Sequence, residues 1–198
     1  GIALKAGDPI WNDSNNDHVI NDQDKKMLGN IFPKVSGSWQ HNFFYKNFDL
    51  KVNLYFNLGR NILNQEMANR FNFINNENAA NIEAIKEITY WEKRGDYSLY
   101  PLYNPWSSVQ PYQADQDLFL EKASFLKLRN ISLGYNFKNF FRGKLENSSL
   151  YVYASANNLL TFTPYTGRDP ELVNYFGYDD GFSQAIPKTY SLGLKLNL

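Results

Sequence analysis

The side chains best spaced for chemistry lie between Asp13 and Asp24. Oxygen-bearing side chains recur at positions 1, 3, 5, 9 and 12 of this run, as Asp13, Asn15, Asp17, Asn21 and Asp24. Val19 stands at position 7, where the backbone carbonyl serves. This spacing folds a short loop around a hard cation that takes 6–8 oxygens, so Ca2+ is the cofactor it predicts. His18 occupies position 6, where Gly ordinarily permits the sharp turn, and Asp24 offers a shorter arm than Glu at position 12. The competing reading is a solvated acidic turn whose Asp and Asn side chains hold backbone donors.

The rest of the chain offers little to a catalyst. Its two histidines are His18 and His41, and with no cysteine there is no disulfide framework, thiolate metal site or thiol nucleophile. The obvious carboxylate pairs, Asp179-Asp180 and Asp115/Asp117, stand in loop-like sequence among Gly and Gln. No Ser-His-Asp arrangement, phosphate loop or zinc motif is present, so the chain reads as a non-enzyme. Twenty basic and 20 acidic side chains cancel, which argues against a nucleic-acid binder with its basic stripe. Trp91, Tyr97, Tyr100, Tyr103, Trp106 and Tyr112 make an aromatic-rich stretch that serves as candidate ligand or partner contacts. The plainer reading is that these rings pack the loop onto itself.

The elements that must position these residues are strands. In Phe48-Asp-Leu-Lys-Val-Asn-Leu-Tyr-Phe-Asn-Leu58 every even position is apolar, giving one greasy and one wet face. Its length matches the roughly 9–11 residues a tilted strand needs to cross a bilayer. A similar alternation over 34–46 brings Trp39, His41 and Phe43 to one face, with Lys46-Asn47 as the two-residue turn between the two strands. Three more stretches share the pattern, at 124–138 (Ile131, Leu133, Tyr135, Phe137), 149–163 (Leu150, Val152, Ala154, Ala156) and 187–198 (Tyr190, Leu192, Leu194, Leu196, Leu198). The connections alternate in length: 46–47 and 138–148 are short, whereas the segments 7–30, 61–122 and 164–186 are long loops. Within 61–122, Glu77 to Arg94 suits a short helix with Ile82, Ile85 and Ile88 on one side.

Two fold classes fit. One is a soluble β-sandwich ligand-binding module with its greasy faces turned inward. The other is all-β and transmembrane, with antiparallel strands and long extracellular loops on one rim. The lipid-facing set would be Phe48, Leu50, Val52, Leu54, Phe56, Leu58, Ile131, Leu133, Tyr135, Phe137, Leu150, Val152, Tyr190, Leu192, Leu194, Leu196 and Leu198. An aromatic content of 17% at a mean hydropathy of −0.52 favours the barrel. No run approaches the length of a membrane helix. Five strands cannot close a barrel, and the chain opens Gly1-Ile2-Ala3-Leu4 without initiator Met or signal sequence. From its start it is expected to be mature, trimmed or a piece of something larger, and from its strand count the end of a larger barrel.

Six motifs follow one another in a family order. They are Gly7-Asp8-Pro9, the Asp13-x-Asn15-x-Asp17 loop with Val19-Ile20, Tyr45-Lys46-Asn47-Phe48-Asp49-Leu50, the run from Phe125 to Tyr135, Asn157-Asn158-Leu159-Leu160, and Asp169-Pro170-Glu171. Together they resemble the C-terminal end of SusC/RagA-type TonB-dependent outer-membrane transporters, over nearly the whole chain. The resemblance implies a plugged transmembrane β-barrel of about 22 strands, to which this chain would give roughly the last five. It implies an importer of oligosaccharides or peptides in the bacterial cell outer membrane. It also implies as partners a SusD-like surface lipoprotein, the remainder of the barrel and plug, membrane lipid, and TonB through the missing plug domain. The family's loop reads Asn-Gly-Asp-Gly where this chain has Asn15-Asn16-Asp17-His18, and Leu198 stands where the family often ends in an aromatic residue.

Overall fold

A computed structural model describes residues 5–70, 89–98, 101–102, 104, 116–138 and 148–197. In chain order its strands are β1 (Val35–Tyr45), β2 (Phe48–Leu58), β3 (Asn61–Asn64), β4 (Leu120–Lys122), β5 (Phe125–Lys138), β6 (Ser149–Phe162), β7 (Tyr178–Asp179) and β8 (Thr189–Asn197). One helix, α1 (Gln65–Arg70), follows β3. The fold is all-β and antiparallel in its main sheet. Contacts divide it into two units, one of residues 30–61, 122–172 and 183–198, the other of 1–29, 62–121 and 173–182.

The first of these units is a five-stranded sheet in the order β1-β2-β5-β6-β8. Period-two alternation and a tight turn at Lys46 (φ +54°) fix the register of β1 on β2, which runs unbroken from Tyr45↔Phe48 to Val35↔Leu58. The pairing carries an apolar row of every strand to one face, while Phe44 and Phe125 fall on the other, opposite Asp49 and Asn57. Phe48, Leu50, Val52, Leu54 and Phe56 of β2 oppose Tyr135, Leu133, Ile131, Leu128 and Leu126 of β5. Leu150, Val152, Ala154 and Ala156 of β6 sit between Phe137, Tyr135, Leu133 and Ile131 on one side and Leu196, Leu194, Leu192 and Tyr190 on the other. The remaining member of the candidate lipid-facing set on β2, Leu58, pairs with Val35; Leu198 lies outside the described residues.

Both β5 and β6 carry an irregularity at the same level. The register of β5 slips at Arg129, between Leu128 and Asn130, against β2 and against β6, and Asn158 on β6 adopts φ +53°. Such bulges add a residue and a local twist without losing the pairing on either side. Here the bulge keeps Leu126 and Leu128 on the apolar face although they stand at even positions and Ile131, Leu133, Tyr135 and Phe137 at odd ones.

The apolar face has no cover among the described residues. Leu192 and Leu194 are 86% and 74% exposed, and Trp39, Phe43, Phe48 and Leu133 are also exposed. On this face His41 lies between two rings, its centroid 5.4 Å from Trp39 and 4.0 Å from Phe43. At about 3.3 Å per residue the 11 residues of β2 extend roughly 36 Å, or roughly 26 Å along a normal tilted at 45°, close to the apolar band of about 25 Å on outer-membrane barrels.

The second unit holds the strand order β4-β3-β7, with β3 and β7 parallel through Leu63↔Tyr178 and Asn64↔Asp179. Asn64 starts α1 as an N-cap: its Oδ1 accepts the Met67 N–H at 2.9 Å, while its Nδ2 donates to Glu121 Oε1 at 2.8 Å. Among the described residues its buried apolar side chains are Ile62, Ala68 and Phe119. The sequence expects an irregular loop over 61–122; instead β3, α1 and β4 lie within it. The expected helix 77–94 falls outside the described residues up to 88. From 89 to 94 it is corrected to extended chain and a turn, where the Asp96 carboxylate accepts the Lys93 N–H at 2.9 Å and Gly95 takes φ +101°. A side chain that competes for backbone donors and a left-handed glycine both stop helix growth.

Candidate functional site

The wet face of the five-stranded sheet carries an ordered set of polar contacts. Ser38 Oγ lies 2.8 Å from Asn53 Oδ1, Asn130 Nδ2 donates to Asn157 Oδ1 at 2.7 Å, and Asn157 Nδ2 donates to Thr189 Oγ1 at 3.0 Å. A row of short polar side chains thus crosses all five strands. Further along, Tyr151 reaches from β6 across β5 to donate to Asp49 Oδ1 on β2 at 3.0 Å. Gly134 makes that reach feasible, since a Cβ there would fall 2.1 Å from the Tyr151 hydroxyl and 2.5 Å from Asp49 Oδ2. Glycine in a strand interior here marks a crossing side chain.

Near the start of β5 the same face holds a buried ion cluster. Lys127, 1% exposed, donates from Nζ to both carboxylate oxygens of Asp169 at 3.1 Å and also to Glu171 Oε2. Arg129 Nη2 donates to the other oxygen of Glu171, and its guanidinium lies 4.0 Å from the centroid of the Tyr55 ring. A buried ammonium is tolerable only when carboxylates surround it. Burial works to raise the Glu171 pKa; hydrogen bonds and charge from Lys127, then Arg129, overcome it and hold the carboxyl below the usual glutamate range. The carboxylates arrive on a folded strap: Leu172 N–H donates to the Asp169 carbonyl and Glu171 N–H to Asp169 Oδ1, both at 3.0 Å, while Pro170 and Tyr165 are buried.

The 13–24 loop is closed by its own acceptors. Asp13 takes the His18 N–H on Oδ2 at 2.8 Å and the Asp17 N–H on Oδ1 at 3.3 Å; Asp17 Oδ1 takes the Val19 N–H at 2.8 Å. Asp24 ties the end to the beginning, accepting the Ser14 N–H on Oδ1 and the Asn21 N–H on Oδ2, each at 2.8 Å. Asn15 Oδ1 accepts from the Asp17 N–H and Asn21 Oδ1 from the Gln23 N–H. Asn16 and His18 take φ +59° and +64°, so His18 makes the sharp left-handed turn that a cation loop needs at its sixth position. For Asp13, desolvation raises the pKa, and the backbone N–H groups of His18, Asn16 and Asp17 outweigh it, leaving it below the usual value. The backbone course therefore fits a cation loop. The carboxylates spend their oxygens on N–H groups, and among the described residues no three His, Cys, Asp or Glu side chains gather as metal ligands.

Of the six candidate contact aromatics, Trp91 and Tyr97 are described and differ. Trp91 is half-buried beside Gly7, where a Cβ would come within 2.7 Å of its ring, so it packs the loop. Tyr97 is fully exposed. Tyr100, Tyr103, Trp106 and Tyr112 lie outside the described residues, as does Asp115. Asp179 is buried in β7, and Asp117 begins a 3-10 turn. Sequence reasoning missed the Lys127 cluster. Its traces were a Lys and an Arg two apart on the wet face of a strand and an Asp-Pro-Glu in a loop.

No protein-family model matches the chain. Curated relatives do. It is 31% identical over 174 residues to TonB-dependent receptor P39 of Formosa agariphila, covering 87% of this chain and 16% of that protein. It is 26% identical to TonB-dependent receptor P3 of the same organism over 99% of this chain and 20% of the relative. Against TonB-dependent receptor SusC of Bacteroides thetaiotaomicron it is 28% identical over 96% of this chain and 18% of the relative. The chain thus spans a fifth or less of the proteins it matches. Among solved structures it shares the fold of the RagAB peptide importer in its closed-closed state, with a TM-score of 0.66 and 24% identity over 86% of this chain and 18% of that one. Sheet, motif order and relatives agree: the chain is a segment of a TonB-dependent receptor of the SusC/RagA type.

Proposed function

We propose that this chain forms wall strands and mouth loops of an outer-membrane importer of oligosaccharides or peptides. The carrying observation is the uncovered apolar face that runs through all five strands, with a hydrogen-bonded polar face behind it. In hydrocarbon such a face has no cost of exposure, and paired strands satisfy the backbone. The residues of the candidate lipid-facing set then touch acyl chains, and the Asn, Ser and Tyr of the other face turn to the plug side. A soluble sandwich would need a second layer over Leu192 and Leu194. The chain has no catalytic part in this reading; its work is to enclose the path and to dock a SusD-like lipoprotein at the mouth, while TonB acts through the plug. In this reading loop 13–24 takes Ca2+ by exchanging the backbone N–H groups now held by Asp13, Asp17 and Asp24 for the ion, with Asn15, the Val19 carbonyl and Asn21 as further oxygens, and Tyr97, exposed on its loop, remains a candidate ligand contact.

Fractionation of cells expressing the parent protein tests the reading. It should sediment with outer membranes and need detergent for release. Recovery as a compact monomer from the aqueous fraction would refute it.

A further inference from the structure

The turn from Asn174 to Tyr178 presents two aromatic rings to water on an unusually constrained support. The Asn174 carbonyl accepts the Gly177 N–H at 3.0 Å, and the Asn174 N–H donates to the Tyr178 carbonyl at 2.9 Å. Its side-chain oxygen accepts two more, from the Phe176 N–H at 2.9 Å and the Tyr178 N–H at 3.0 Å. Gly177 supplies the required left-handed residue at φ +81°. The turn is rooted in its own unit, since the Leu63 N–H donates to the Gly177 carbonyl at 3.0 Å and β7 continues from it beside β3. At its tip Tyr175 and Phe176 stand edge to face, 5.6 Å apart, 83% and 71% exposed.

Large rings held in water on a turn that cannot fold them away are what a protein partner uses as anchors, because little conformational entropy is lost on docking. Their exposure argues against cargo. Small-ligand sites are concave and bury most of what they bind, whereas these rings are 83% and 71% exposed and the face of one is already taken by the edge of the other. Charge names the partner's side. By sequence, segments 1–29, 62–121 and 173–182 carry 16 acidic and 7 basic side chains, against 4 and 13 in the sheet unit. A neutral chain thus hides an acidic loop unit, which steers a basic surface towards itself.

We propose that Tyr175 and Phe176 insert into an apolar pocket on a basic docking face of the SusD-like surface lipoprotein. This rests on the lipoprotein partnership proposed above. The test uses the full receptor, tagged and purified in detergent from cells that also make its own lipoprotein, with the Y175A/F176A variant alongside. Wild type should retain the lipoprotein. The variant, folded by its heat-dependent gel shift, should release it about thirtyfold faster or more, and wild-type association should slow as NaCl rises from about 50 mM to about 500 mM. Equal retention by both proteins would overturn the docking of the rings while leaving the partnership standing. A wild-type receptor that carries no such lipoprotein would overturn both. A variant that keeps the lipoprotein but loses cargo binding would assign the rings to cargo and overturn the proposal.

Discussion

Replacing Lys127 by Ala removes a cation that bonds both strap carboxylates. Lys127 is 1% exposed, and Asp169 and Glu171 lose three of their four described bonds from it and Arg129 together. Stripping one member from a buried ion cluster costs about 3–5 kcal/mol, because the remaining charges stay desolvated. The loss should be local, since the cluster ties residues 163–172 to β5 while the strand pairing is untouched. Hydrogen exchange of the full receptor in detergent reads it directly at the Glu171 and Leu172 amides, both bonded to Asp169. At about 1.4 kcal/mol per factor of ten, their exchange should speed up by roughly a hundredfold to a few thousandfold. The sheet amides of β5 and β6 should not change. Acid should act in the same direction. The Glu171 carboxyl is held below its unfolded value, so its contribution is complete above the ordinary glutamate pKa and fades as pH falls through the depressed one. Amides at 171 and 172 that keep wild-type protection in Lys127→Ala would refute the argument that the cluster holds the strap.

Other consequences follow from the same coordinates. Gly134→Ala places a Cβ 2.1 Å from the Tyr151 hydroxyl and should break the Asp49–Tyr151 bond, costing about 1–3 kcal/mol; urea-induced unfolding followed by gel mobility measures it, and an unchanged midpoint counts against the crossing contact. The double variant Asp13→Ala, Asp17→Ala should abolish calorimetric Ca2+ binding by the receptor at loop 13–24; undiminished affinity would remove the ion from this loop.

The class of fold was legible because alternation leaves its period in the sequence, and β2 shows it without interruption. The bulge was not read from the sequence, although it leaves one trace there, a change of parity: apolar residues sit at even positions through Leu128 and at odd ones from Ile131. Short strands leave no such trace. β7 has two residues and β4 three, too few for a period, and they form because hydrogen-bonding groups of the loops find each other. The Lys127 cluster stayed hidden for a different reason. Its carboxylates come from 42 and 44 residues downstream, and nothing local in Asp169-Pro170-Glu171 says which cation it meets. In the 13–24 loop, spacing indicated the turns, and the structure adds that the oxygens already hold backbone donors.

Spin labels on β8 test most directly which medium touches the greasy face. The chain has no cysteine of its own; single cysteines at Leu192, Ser191, Leu194 and Lys195 are placed in the receptor after any cysteine elsewhere in it is replaced by serine, and the protein is reconstituted in lipid. Labels at 192 and 194 should collide with oxygen dissolved in the bilayer and be shielded from a water-soluble nickel chelate, whereas 191 and 195 should be shielded from lipid-borne oxygen. Equal access of the chelate to 192 and 194 would contradict the account.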